Sequence, residues 1–261
     1  MSLLETLLIN QFATFTLVLA RVGALVMSAP LFGASVIPLH GRAFLVVAIS
    51  LLVSPLVAIS PPADMTNILI CGKYLASEAL VGLLLGFGIT LFLTGVQVTG
   101  QIISQLGGSA VAEIFDPTVD SNVSIYSQLF YFLALAMFVL LDGHRLVMDA
   151  LLDTYHSIPP GRASLGDTYV EALTTLLSQS FLLGIRAAAP TMTALLLATL
   201  VLGLIGRTMP QINILAVGFG INSLLTMGCL FVSLGTVAWA FPQQMTAAIE
   251  LLRGTLRNSL E

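Results

Sequence analysis

Apolar character runs from Ile68 to Val98, with Lys73 and Glu78 its only charges. As one continuous helix that stretch is about 45 Å long, half as long again as the hydrocarbon core of a bilayer. It is too long for one straight span and too apolar for a helix that faces water. A chain carrying it must hide it in lipid, in protein, or in both. The rest of the sequence has the same character. Hydrophobic residues make up 57% of the 261 residues and charged ones only 8%, with a mean hydropathy of +1.01. Soluble domains carry about 25% charged residues, so this chain cannot clothe itself in a water-compatible surface. Its net charge of −4 offers no basic face, which excludes nucleic acid as a partner. The fold class expected is all-α: helical hairpins with long, kinked helices, embedded in a membrane or an assembly.

The helical blocks expected are 9–28, 43–59, 68–98, 125–141, 167–205 and 214–239, within a single domain spanning 1–261. Pro30 and Gly33 end the first block, and Ser54-Pro55 falls in the last turn of the second. With Glu5 and no Lys or Arg ahead of it, the first block reads as retained rather than as a cleaved signal. Pro190 should kink or split the fifth block. Gly206 to Asn213 is a tight turn that folds the fifth and sixth blocks into a hairpin, and Phe241-Pro242 should close the sixth. The tail 242–261 is amphipathic, with Met245, Ile249, Leu252 and Leu256 on one face. That face should lie along an interface or dock on a partner. No sequence repeat is visible, and the few Lys and Arg residues do not set an orientation.

Charges inside apolar blocks are expensive and usually meet a partner. Arg21 either snorkels toward the Pro30 end of its helix or pairs in a buried site. Lys73 and Glu78 lie about 140° apart around one helix, so they serve each other poorly. Each should face another helix or subunit. Arg186 and Arg207 join Arg21, Lys73 and Glu78 as candidates for buried ion pairs or subunit contacts. Gly82 and Gly86 form a G-x-x-x-G pair, a spacing that lets helix backbones approach closely.

The stretch 104–124 differs from its flanks. Gly107 and Gly108 loosen the backbone, and Asp116-Pro117 punctuates it. Leu106, Val111, Ile114 and Phe115 are nevertheless too apolar for a solvated loop, while Glu113, Asp116 and Asp120 carry negative charge unmatched by any Lys or Arg within it. Such a segment is either a connection packed against its own helices or a piece that lines or obstructs a passage.

Sequence signatures of catalysis are missing. There is no H-E-x-x-H motif, P-loop or dinucleotide fingerprint. His40, His144 and His156 are scattered without a second ligand at metal spacing. Cys71 and Cys229 form neither a C-x-x-C pair nor a disulfide framework. The expectation is a protein that is not an enzyme, with no metal and no cofactor.

Several short pieces, in order, carry a resemblance. They are Ala20-Arg21-Val22 with Ala29-Pro30-Leu31-Phe32-Gly33, Gly100-Gln101-Ile102 with Phe115-Asp116-Pro117, and Asp142-Gly143-His144 with Pro159-Pro160-Gly161. Gly206-Arg207-Thr208-Met209-Pro210-Gln211-Ile212-Asn213 with Val217-Gly218-Phe219 completes the set. The pattern resembles the FliR/SctT family, the inner-membrane export-gate component of flagellar and injectisome type III secretion systems. Two positions depart from it: Gly220-Ile221-Asn222 replaces a proline-containing turn, and Arg145 stands where a second histidine is common.

The resemblance implies an all-helical subunit that joins FliP-like and FliQ-like small membrane proteins in a cone-shaped complex of the flagellar basal body. FlhB-like and FlhA-like export components would be further partners. Unfolded substrates would pass through its channel, and Leu106 to Asn122 would form a plug loop inside it. The plug residues implied are Leu106, Gly107, Gly108, Val111, Ile114, Phe115, Asp116 and Pro117. The alternative class is a small-solute membrane transporter, which also uses broken helices with charges at depth. An internal repeat would favour that class, and none is visible.

Overall fold

The computed structural model describes residues 3–30, 38–57, 68–107, 124–161, 167–209, 211 and 213–258. Among them the secondary structure is helical, without a strand. The helices are α1 (Leu3–Ser28), α2 (Leu39–Val53), α3 (Ile68–Leu106), α4 (Ile125–Leu140), α5 (Gly143–Ser157), α6 (Asp167–Thr208) and α7 (Ile214–Asn258). Five spans among the described residues are long and apolar enough to cross a membrane: Asn10–Ser28, Leu39–Leu56, Ile68–Leu106, Tyr169–Thr208 and Ala216–Leu256.

Several boundaries differ from expectation, each for a physical reason. α3 runs on to Leu106, because Val98 to Leu106 contains no proline and buries Thr99, Ile103 and Ser104. α6 is one helix with Pro190 inside it. Proline removes one backbone donor, but Ala187, Ala188 and Thr191 around it are fully buried, so packing holds both sides of the break. α7 likewise continues through Pro242 to Asn258. Between Val53 and Val57, Ser54-Pro55-Leu56 forms a 3₁₀ turn, which tightens the end of α2. Asp142, between α4 and α5, adopts a left-handed backbone with φ 56°.

The chain forms two compact units. One comprises 1–91, 142–176 and 245–261. Its core takes Leu17, Val18, Val22 and Leu25 from α1, Leu84 and Leu85 from α3, and Leu151 from α5. The α1 residues recur at helical spacing, so one stripe faces inward. The expected apolar face of the tail is also here: Met245, Ile249, Leu252 and Leu256 are all buried within the chain itself rather than left for a partner. Leu252 lies over Gly88, where an added Cβ would come within 2.8 Å of its side chain.

The other unit comprises 92–141 and 177–244. Phe92 and Phe241 pack with ring centres 5.0 Å apart and planes tilted by 48°, and Phe130, Ala134 and Phe138 bury one face of α4. α6 and α7 form the expected antiparallel hairpin. Gly218 faces Leu202, and Thr191 Oγ1 donates to the Cys229 carbonyl at 3.3 Å while lying 2.9 Å from Ser233 Oγ.

Candidate functional site

In the first unit α3 lies against α1 along a row of residues four apart: Glu78, Gly82, Gly86 and Thr90. A Cβ at Gly82 would overlap the Arg21 carbonyl oxygen, and one at Gly86 would come within 2.8 Å of the Leu25 carbonyl. Only glycine permits this backbone approach, which is the function that G-x-x-x-G spacing serves. One turn further, Thr90 Oγ1 donates to the Ser28 carbonyl at 2.7 Å.

One turn before Gly82, the same approach sets Glu78 against Arg21. The two side chains are wholly buried, and Arg21 Nε donates to Glu78 Oε2 at 2.7 Å. The remaining arms of the guanidinium reach α5 and its end: Nη1 donates to Thr154 Oγ1 at 2.9 Å and Nη2 to the Ile158 carbonyl at 3.0 Å. The Tyr155 ring covers the cation at 4.4 Å, a favourable placement for a positive charge on an aromatic face. Glu78 Oε1 accepts from the Gly161 N–H at 2.8 Å, and Gly161 has φ 83°. Glycine tolerates that conformation freely. Thus one ion pair fastens α1, α3, the end of α5 and the Pro159-Pro160-Gly161 turn.

This cluster is a fastener rather than a reaction centre. Arg21 is held on three sides and has no open face toward solvent, and each oxygen of its carboxylate partner accepts from a donor of this chain. Of the two alternatives for Arg21, the structure has the buried pair. Lys73, Arg186 and Arg207 are instead exposed on the isolated chain, so any burial of theirs needs something outside it. Thr154, Tyr155, Ile158 and Gly161 had not been singled out for this role. The opposite charges of Arg21 and Glu78, each deep in an apolar block, were the available signal.

In the second unit, glycines again set close helix crossings. A Cβ on Gly184 would come within 2.5 Å of the Gly95 carbonyl, and Thr99 Oγ1 donates to the Gly184 carbonyl at 3.1 Å. Gly100 abuts the backbone of Tyr126 and Ser127. Ser127 Oγ donates to Gln101 Oε1 at 2.9 Å, while Ser124 caps α4 by accepting the Ser127 N–H at 3.1 Å. Leu106 and Gly107 close α3, with the Gly107 N–H bonded to the Ile103 carbonyl at 2.8 Å. Gly107 also faces Thr226 of α7, where a Cβ would come within 2.6 Å of Oγ1. The described residues that flank the expected plug, Gly107 before it and Ser124 after it, are therefore packed. Gly108, Val111, Ile114, Phe115, Asp116 and Pro117 lie outside the described residues.

Residues 12–248 match the family of bacterial export proteins, family 1. The chain belongs to that family. This export-protein chain is 32% identical to the flagellar biosynthetic protein FliR of Escherichia coli over 211 residues, covering 80% of this chain and 79% of that one. It is 27% identical to the protein of the same name from Bacillus subtilis over 258 residues, 95% of this chain and 96% of the other. It is also 28% identical to the secretion system apparatus protein SsaT of Salmonella typhimurium over 160 residues, covering 60% and 61%. The resemblance to the FliR/SctT family is met on nearly the whole chain. The Arg21–Glu78 pair and the glycine row fall within the matched residues.

Proposed function

We propose that this chain is a subunit of the type III protein export gate in the bacterial inner membrane. There it helps form the channel for unfolded flagellar or virulence substrates. The observation that carries the reading is the family match over residues 12–248, with relatives named for flagellar biosynthesis and for a secretion system apparatus. The apolar exterior supports it: Phe44, Leu52, Phe12, Leu197 and Trp239 are all exposed by more than 60%. A surface of that kind requires lipid or other apolar proteins around it. FliP-like and FliQ-like subunits are the proposed neighbours, with FlhB-like and FlhA-like components beyond them.

The segment 106–122 is proposed as a plug that restricts the closed channel. The packing of Gly107 and of Ser124, on either side of residues 108–123, supports this reading, because α3 and α4 are anchored by contacts that do not involve those residues. The test removes residues 108–119 and keeps Gly107 in its seat against Thr226. Complex yield should stay at the wild-type level while membrane conductance to small ions rises, since apolar constrictions gate by excluding water. Lost yield with no conductance would make the segment a structural connection and end the plug proposal.

A further inference from the structure

The glycine that ends α3 is packed differently from those at the helix crossings. A Cβ on Gly82, Gly86, Gly100 or Gly184 would run into backbone atoms of the neighbouring helix. Backbone atoms give way only when a whole helix moves. Three of these crossings also carry a hydrogen bond between helices. Thr90 donates to the Ser28 carbonyl beside Gly86, Thr99 to the Gly184 carbonyl, and Ser127 to Gln101 beside Gly100.

At Gly107 the nearest atoms of α7 belong to one side chain. They are Thr226 Oγ1, at 2.6 Å from an added Cβ, and Thr226 Cγ2, at 3.2 Å. The donors on both sides are occupied within their own helices. The Gly107 N–H donates to the Ile103 carbonyl at 2.8 Å, and the Thr226 hydroxyl to the Asn222 carbonyl at 2.7 Å. Neither crosses the gap, so these two residues hold each other by van der Waals contact. Such contact is weak for each atom pair, and glycine brings few atoms to it.

The seat is also incomplete. Asn222 stands one turn before Thr226 on α7, and its Oδ1 is buried without a hydrogen-bond partner. A buried acceptor in that condition bears the full penalty of its lost hydration. Thr226 is only 1% exposed, so the seated end of α3 keeps water out. A movement of that end which admits a donor or a water to Asn222 relieves the penalty. Weak contact and an unsatisfied acceptor together describe a place that the helix end can leave.

We infer that Gly107, Thr226 and Asn222 form a releasable seat for the last turn of α3, and that this turn leaves α7 when substrate passes. Thr226 and Asn222 are positioning residues. Thr226 fills the space against which Gly107 rests, and the orphaned oxygen of Asn222 keeps the seated state from being too stable. The inference rests on the export function proposed above and does not require the plug.

The test combines Gly107→Cys and Thr226→Cys in a chain whose Cys71 and Cys229 are Ser. A Cβ at position 107 meets atoms one bond beyond the Thr226 Cβ, which brings the two β-carbons near the roughly 3.5–4.5 Å that a disulfide spans. The chain is expressed in flagellated cells lacking their own copy, and flagellar subunits released into the medium are measured. Oxidant should join the two cysteines and cut export at least tenfold, and reductant should restore it, with complex yield unchanged. Chains with either cysteine alone should not respond. Export at the unlocked rate through cross-linked complexes would overturn the inference, as would a pair that does not cross-link. Asn222→Leu gives a second reading that needs no disulfide: export should fall severalfold while the thermal midpoint of the complex rises. A merely damaging substitution would lower both, and wild-type export in Asn222→Leu would also overturn the inference. A cysteine-free parent that restores no export would instead refute the function on which the seat depends, a result told apart because no oxidant is involved.

Discussion

Replacing Glu78 by Gln keeps the shape of the buried cluster and removes its negative charge. The two oxygens now accept from Arg21 Nε at 2.7 Å and from the Gly161 N–H at 2.8 Å. An amide has one accepting oxygen and one donating nitrogen, so one of those donors must face another donor. The guanidinium meanwhile stays at zero exposure without a counter-charge. Breaking a buried pair from one side costs about 3–5 kcal/mol. That is roughly two to four powers of ten in the folded-to-unfolded ratio, a large share of a typical stability of about 5–15 kcal/mol.

Arg21→Met together with Glu78→Gln removes both charges and should be milder than Glu78→Gln alone, because no uncompensated ion remains. The swap Arg21→Glu with Glu78→Arg should not restore stability. The wild-type guanidinium also serves Thr154 and the Ile158 carbonyl, which a carboxylate at position 21 cannot do. The assay is membrane accumulation and the thermal midpoint by fluorescence-detected size exclusion, with all four chains expressed alike. Wild-type accumulation and midpoint in Glu78→Gln, or a double variant worse than it, would refute the reasoning.

Gly82→Ala should cost about 1–3 kcal/mol by overpacking, since its methyl group would meet the Arg21 carbonyl; Gly72→Ala, with open space around it, should leave the thermal midpoint unchanged. Asp142→Gly should raise stability by a few tenths to about 1 kcal/mol, and Asp142→Val should lower it by more, because φ 56° suits glycine and penalises a β-branched residue. Leu252→Ala, at a fully buried site over Gly88, should cost about 2–5 kcal/mol. Asp153→Ala, which loses a half-exposed contact to Arg253 at 3.5 Å, should cost under about 1 kcal/mol. Midpoints measured on these variants side by side check that order.

The helices were legible because their apolar runs are long and the breaks between them hold Gly, Pro and charge. Their ends were less so, since Pro190 and Pro242 are local signals that tertiary packing overrode. Glu78 and Arg21 stood out as costly charges, but their meeting depends on Gly82 and Gly86 letting two helix backbones touch across 57 residues of sequence. The roles of Thr154 and Gly161 follow from where α5 ends, which local composition does not announce. For the tail the apolar stripe was readable, whereas its destination was not: a stripe on one helix says that something covers it and not what. Outside a spatial frame, Arg186 and Arg207 looked like Arg21. Only burial separates them: Arg186 and Arg207 are exposed on this chain, whereas Arg21 is fastened inside a core.

The route of the chain through its first unit bears on how the protein is made. That unit takes its helices from 1–91, then 142–176, then 245–261. A ribosome delivers Arg21 and Glu78 early, but Thr154 and Gly161 only after the first part of the second unit has emerged. Leu252, which covers Gly88, arrives only after the whole of the second unit. Until then the Gly88 side of α3 has to be shielded by lipid or by a chaperone, because contacts distant in sequence cannot form before both sides exist. A nascent chain stalled before residue 245 would therefore hold an unsealed first unit whatever its other helices had achieved. Closure of the first unit thus waits on a segment that follows the whole of the second in sequence.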